Sequence, residues 1–326
     1  MFEATRRFVA DGDSPMPWMG VLTILCAVVA PTVLAVSFLG QLGAAVFVAS
    51  MPAHLAAKQS GVSVAIAVTI ITGLGGVLAL GSLEMALVVS VVLSGLTALA
   101  FRHGLAQPCL RALFTWTVFT GPIMPADEKP LVLILYCAAV VWSVWVTRAL
   151  KQEADAEDRQ ESSQTYSALF GVLLGVGLLI SIYVGARFFG SHGFWFPLTF
   201  VILWIPPFGN LFSRTAKRTA GTVAGVVLAL ILGLLVEEVW IRALIALAMV
   251  PVAFRLLPVS YVTFTALLTL VILEALSLVA DMNALAGERL LSMFAAAVMA
   301  LVLGAIGLGL LRWIKPEAMD ELMQGG

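Results

Sequence analysis

Three cations stand within one short stretch, at Arg214, Lys217 and Arg218 of PPFGNLFSRTAKRTAGTVAG, between two long apolar runs. Arg214 and Arg218 are four apart, so a helix passing through them stacks both guanidiniums on one face. Such a face near a helix start suits an anion, because the free N–H groups and the helix dipole add their own positive potential. Gly221, Thr222 and Gly225 follow on, with small residues four apart, the spacing that lets a neighbouring helix approach closely. A second reading stands beside the first: the three cations form an ordinary loop that holds its end of the protein inside the cell.

Other side chains offer further chemistry. Glu274 is embedded in the apolar run TALLTLVILEALSLVAD. A carboxylate in hydrocarbon is costly, so such residues face a cavity or a partner and often relay protons. Pairing with an arginine near the outer surface is the competing account. Tyr261 and Thr265, with Ser260 and Thr263, bring hydroxyls and a ring to the helix before Glu274, where they line a substrate path or bond to a neighbouring helix. Lys58 stands in the first half roughly where the second half has its three cations, and His54 nearby reads as a satisfied polar contact. Trp195 and Trp204 read as interfacial anchors. The cysteines, Cys26, Cys109 and Cys137, lie in apolar runs without a C-x-x-C pair and read as packing. There is no G-x4-G-K-[ST], H-E-x-x-H or G-x-S-x-G string and no His/Asp cluster at metal-ligand spacing, so the expectation is no enzyme, no metal and no cofactor.

The elements that must position these groups are membrane helices. Of 326 residues, 61% are hydrophobic and 11% charged, and the mean hydropathy is +1.05. Apolar runs of about twenty residues, the length that crosses a bilayer, recur from end to end. A formal net charge of -1 and the lack of a basic cluster interleaved with aromatics argue against a nucleic-acid partner. Asp11 and Asp13 separate the basic pair Arg6 and Arg7 from the first apolar run, so the N-terminus is expected to be retained rather than cleaved. The expected fold is an all-α polytopic membrane protein of about twelve transmembrane helices. Their approximate spans are 18–38, 41–57, 62–81, 84–101, 106–125 and 130–149, then 167–188, 193–212, 219–237, 239–256, 259–280 and 287–313. This gives a cytoplasmic N-terminus (1–17), a first membrane half (18–149), a cytoplasmic linker (150–166), a second membrane half (167–313) and a cytoplasmic tail (314–326).

With both termini in the cytoplasm, fourteen of the eighteen Lys and Arg residues fall inside and Lys129, Arg187, Arg242 and Arg289 fall outside, as the positive-inside rule requires. The span starts of the two halves pair at steady offsets, which implies two six-helix repeats in parallel orientation.

The string W-F-P-L-T-F from Trp195, then Pro207, then R-T-A-K-R-T-A-G-T-V-A-G over Arg214 to Gly225, resembles the fusaric acid resistance family. That family includes bacterial aromatic carboxylic acid efflux pumps and is related to the plant aluminium-activated malate transporters. Arg214, Arg218, Gly221, Thr222 and Gly225 match its Arg-x3-Arg-x2-Gly-Thr-x2-Gly signature in register. Long members carry a large cytoplasmic domain between the halves, where this chain has about seventeen residues, and the first half here lacks the motif.

The resemblance implies an efflux transporter subunit of the bacterial inner membrane for organic anions such as aromatic carboxylates, and with no nucleotide-binding string in the sequence the expected energy source is the proton gradient. Arg214, Lys217, Arg218, Lys58, Tyr261 and Thr265 are its expected substrate-binding residues and Glu274 its proton-coupling residue, with Gly221, Thr222 and Gly225 packing helices. The expected partners are the small organic anion, membrane lipid and a periplasmic membrane-fusion adaptor, with a homo-oligomer left open. A passive anion channel and a membrane scaffold or envelope-assembly protein without a transported substrate are the alternatives.

Overall fold

The computed structural model describes residues 8–153 and 162–314. The expectations that fall on Arg6, Arg7, the linker around Glu157 and Arg159, and the tail from Lys315 through Met323 lie outside the described residues. Within them every regular element is helical. In chain order these are α1 (Trp18–Ile24), α2 (Ala30–Leu39), α3 (Ala44–Ser60), α4 (Val62–Ala79), α5 (Leu83–Arg102), α6 (Ala106–Trp116), α7 (Lys129–Ala149), α8 (Gln164–Phe188), α9 (Trp195–Leu203), α10 (Leu211–Leu235), α11 (Val239–Leu256), α12 (Tyr261–Leu276) and α13 (Met282–Ile314). A π-helical turn, Leu25–Val29, joins α1 to α2, and a tight 3-10 turn at Gly40–Gly43 precedes α3. Among the described residues, eight helical stretches are long and apolar enough to cross a membrane, and the shorter apolar α12 joins them. The chain is a multi-pass membrane protein.

Two expected spans turn out to be fragments. The one placed at 106–125 is the 11-residue α6 followed by a 3-10 turn at Thr117–Thr120. An eleven-residue helix is roughly 16 Å long, about half the hydrocarbon thickness. After that turn Gly121 is extended, at φ -107 and ψ 171, directly ahead of Pro122, which disfavours helical geometry in the residue before it. The span placed at 193–212 is the nine-residue α9. It stops before Pro206 and Pro207, which lack an N–H and push the residue ahead of them out of helical geometry.

Two others begin earlier than expected. α10 starts at Leu211, so Arg214, Lys217 and Arg218 lie inside a helix and not in the loop before it. α13 starts at Met282, capped by Asp281, whose Oδ1 accepts the N–H of Ala284 at 2.9 Å. Arg289 is therefore two turns into a helix, and Arg242 is one turn into α11. Both are buried, where the sequence placed them among the cations flanking the outer ends of spans.

The chain divides into two compact units, each discontinuous in sequence: Thr23–Leu211 with Ala295–Gly326, and Met1–Leu22 with Phe212–Phe294. The larger unit packs α3 against α7 and α5 against α8. Polar contacts stitch the α3–α7 seam: Ser143 Oγ donates to the Ser50 carbonyl at 2.7 Å, and His54 Nδ1 lies 2.8 Å from Thr147 Oγ1, the polar contact expected for that histidine. The Tyr136 hydroxyl donates to the Thr69 carbonyl at 2.9 Å across Gly73, where a Cβ would fall 2.2 Å from the tyrosine ring. Trp195 and Trp204 are buried among aromatic rings, Trp204 stacking on Phe200 with centroids 5.3 Å apart. They are core residues and not interfacial anchors, because the short α9, which begins at Trp195 and ends just before Trp204, is packed against α8 and α6.

The smaller unit holds α10 from Phe212, α11, α12 and the first turns of α13, together with the N-terminal segment. Ser260 caps α12, its Oγ accepting the N–H of Thr263 at 3.1 Å.

Candidate functional site

The stripe read from the sequence faces α12. A Cβ on Gly221 would lie 2.6 Å from the Val262 carbonyl oxygen and 2.7 Å from Thr265 Cβ; one on Gly225 would lie 2.4 Å from the Ala266 carbonyl oxygen and 2.6 Å from Thr269 Cβ. α10 and α12 therefore touch backbone to backbone, and both glycines are required for it. Thr222 is fully buried beside them. Because Arg214 and Arg218 continue the same stripe one and two turns earlier, this contact delivers them to the first turn of α12.

There they meet Tyr261. Arg218 is 4% exposed, and its Nη1 donates to the Tyr261 hydroxyl at 3.1 Å. Its Nε has no hydrogen-bond partner. Arg214 is half-buried and within electrostatic reach of the Tyr261 phenol. Arg289, 3% exposed, interacts electrostatically with both Arg218 and Tyr261. Three guanidiniums from α10 and α13 thus gather round one phenol from α12. Burying a guanidinium is expensive unless a negative partner is close, and the partner Arg218 has found is a neutral hydroxyl.

Lys217 points to a carboxylate, since its Nζ pairs with Asp11 of the N-terminal segment. The other Asp11 oxygen, Oδ2, accepts the backbone N–H of Tyr261 at 2.7 Å. Thr265, 2% exposed, packs against Gly221 and its hydroxyl has no hydrogen-bond partner. Of the expected binding residues, the smaller unit thus brings Arg214, Lys217, Arg218, Tyr261 and Thr265 to one α10–α12 contact. Lys58 is exposed near the C-terminal end of α3, in the larger unit.

Glu274 lies farther along α12 and is fully buried. Arg242 Nε stands 3.5 Å from its Oε2. Ser277 Oγ donates to the Glu274 carbonyl at 2.8 Å and lies 3.4 Å from Oε2, while Oε1 has no hydrogen-bond partner. The arginine reaches the acid past Gly233 of α10, where a Cβ would sit 2.8 Å from Arg242 Nη1. Glu274 is thus paired with an arginine, as one of the two readings held, and the pair is buried, not superficial.

Three residues of this unit were not assigned from the sequence: Asp11, Arg242 and Arg289. Arg289 had a usable signal. Asp281 has the residue type that caps helices, and a helix begun at 282 carries Arg289 two turns inside it. Arg242 had a weaker one, since Glu274 requires a partner. Asp11 had none.

No curated protein and no solved structure matches the chain. Residues 176–303, which include every member of the arginine–tyrosine cluster and the Arg242–Glu274 pair, match the model of the family described as fusaric acid resistance protein-like.

Proposed function

We propose that the protein is a transporter that moves organic anions across the membrane, with the cluster of Arg214, Arg218, Arg289 and Tyr261 as its anion-binding site. One observation carries this reading: a buried guanidinium, Arg218, is bound to a neutral phenol with two further guanidiniums in electrostatic range. A cluster of that charge inside a membrane protein is stabilised by an anion that enters it, and a carboxylate takes two N–H donors of a guanidinium in one plane. The match of residues 176–303 to the family described as fusaric acid resistance protein-like supports transport as the activity, since resistance to an organic acid is what moving that acid out of the cell would confer.

The remaining features extend the proposal. The two membrane halves, 18–149 and 167–313, act as parallel repeats, both termini are cytoplasmic and the membrane is the bacterial inner one. Export works with a periplasmic membrane-fusion adaptor, and the chain is not an enzyme. Glu274 couples transport to the proton gradient, since a fully buried acid with one unpartnered oxygen can take up a proton without losing an existing bond at that oxygen. Lys58 is a weaker cationic counterpart in the first half.

A passive anion channel has one observation in its favour: Glu274 already has a counter-charge in Arg242, so its ionised form has a partner at rest. Flux of aromatic and aliphatic acids in liposomes, with and without a pH gradient, separates the two. Uptake that accumulates acid against its gradient only when a pH gradient is imposed supports coupled transport. Flux that follows the acid gradient alone selects the channel, and flux of no acid overturns both.

A further inference from the structure

The N-terminal segment places a carboxylate against the cationic face of α10. Asp11 Oδ1 receives Lys217 Nζ, and Oδ2 receives the N–H of Tyr261, the first residue of the 16-residue α12, at 2.7 Å. One ammonium and one free helix N–H on the two oxygens is how a helix start holds a carboxylate. The segment is fixed by its backbone as well. The N–H groups of Asp11 and Gly12 both point to the Val259 carbonyl, at 2.7 and 3.4 Å, and Met16 N donates to the Arg255 carbonyl at 2.9 Å. Arg255 Nη1 returns a bond to the Met16 carbonyl at 3.2 Å, and its guanidinium lies over the Trp18 ring. Gly12 backs onto Pro258, where a Cβ would fall 2.7 Å from the carbonyl oxygen.

Asp11 fills only part of what the site offers. Arg218, one residue beyond Lys217, reaches the hydroxyl of the same tyrosine whose N–H holds Asp11, and the Nε of this buried side chain has no acceptor. The Asp11 and Lys217 side chains are 31% and 15% exposed, so the pair stands at the part-exposed edge of the cluster.

Building on the anion-transport reading, we propose that this is the carboxylate subsite and that Asp11 is its resident competitor. The head group of an incoming carboxylic acid replaces Asp11 on Lys217 Nζ and on the Tyr261 N–H, and gains Arg218 as a donor that Asp11 leaves unused. The segment stays attached through Met16 and Arg255 while Asp11 swings away. The ligand class is set by the occupant: a planar carboxylate with two oxygens. A competitor that holds the subsite nine-tenths of the time weakens apparent affinity by about tenfold, because only the open fraction binds.

The test is calorimetric titration of the full-length chain in detergent with benzoate and, separately, succinate, using benzamide as the neutral control. Asp11→Asn removes the competing charge. Gly12→Ala keeps the carboxylate and pushes the segment off Pro258, so it decides the matter where Asp11→Asn fails to fold. The expected result is a roughly tenfold lower dissociation constant in both variants for whichever acid binds the unaltered protein, no binding of benzamide, and loss of the gain when Lys217→Met is added. Folded variants that bind the acid no more tightly than the unaltered protein overturn the role of Asp11 and leave the transport reading standing. Binding of neither acid by any variant overturns the anion reading together with the subsite.

Discussion

The close approach of α10 to α12 permits a sharp test at Gly225. An alanine there places its Cβ 2.4 Å from the Ala266 carbonyl oxygen and 2.6 Å from Thr269 Cβ. Ordinary contact between such atoms is near 3.5 Å, so the helices must part by about 1 Å, and a gap of that size forfeits a quarter to a half of each dispersion contact along the seam. The atom in the way is backbone, which cannot rotate aside as a side-chain tip would. Overpacking of this kind costs about 1–3 kcal/mol, offset by up to about 1 kcal/mol because alanine is the better helix former. Gly287, on α13 in the same compact unit, has nothing within 4 Å of its Cβ position and receives the helix gain without the clash. We expect Gly225→Ala to lower the thermal midpoint of the detergent-solubilised protein relative to Gly287→Ala, with the two separated by about 1–3 kcal/mol. Gly221→Leu, larger still, should lower membrane abundance. A Gly225→Ala protein that melts together with Gly287→Ala would refute the backbone contact and, with it, the delivery of Arg218 to Tyr261.

Arg218→Lys loses the Nη1 bond to Tyr261 and the planar fork; a loss of about 1–3 kcal/mol raises the half-saturating acid concentration in liposome flux roughly five- to hundredfold at unchanged abundance. Normal transport by the double Arg214→Lys, Arg218→Lys variant would return these cations to anchoring. Glu274→Gln strands the buried Arg242 and should destabilise the protein by about 3–5 kcal/mol, whereas adding Arg242→Gln should restore most of the thermal midpoint; a single variant as stable as the parent would show the pair to be unimportant. In the folded double variant, flux should lose its dependence on an imposed pH gradient, and retained dependence removes Glu274 from coupling. Cysteines placed at Glu157 or Met323 should resist an impermeant thiol reagent in intact spheroplasts, and labelling of either would overturn the cytoplasmic assignment of the linker and the C-terminal tail.

Much of the site could be read before the structure, and what could not be read has definite physical causes. The helical membrane class follows from composition, and the stripe of Arg214, Arg218, Gly221 and Gly225 follows from spacing, because residues three and four apart on a helix must share a face. Hydropathy counting started α10 late, since it discards the polar turn R-T-A-K-R, although arginine, lysine and alanine are all good helix formers. The same counting overestimated α6 and α9. It sums apolar side chains and is blind to Pro122 and to the pair Pro206 and Pro207, which keep the residues ahead of them from continuing a helix.

Arg289, like Arg242, defies the rule that assigns cations to the ends of spans, since both are buried within helices. Asp11 lies 206 residues from Lys217 and 250 from Tyr261 along the chain, and no periodicity links a segment ahead of the first helix to the start of α12. Yet Arg289 and Asp11 give the stripe its character as a site. Arg289 adds a third guanidinium that no single helix could supply, and Asp11 shows which chemical group the cations accept. Coulomb energy falls with distance in space and takes no account of separation along the chain. A one-dimensional reading therefore finds the face that carries the charges, and only the folded chain reveals the charges that face it.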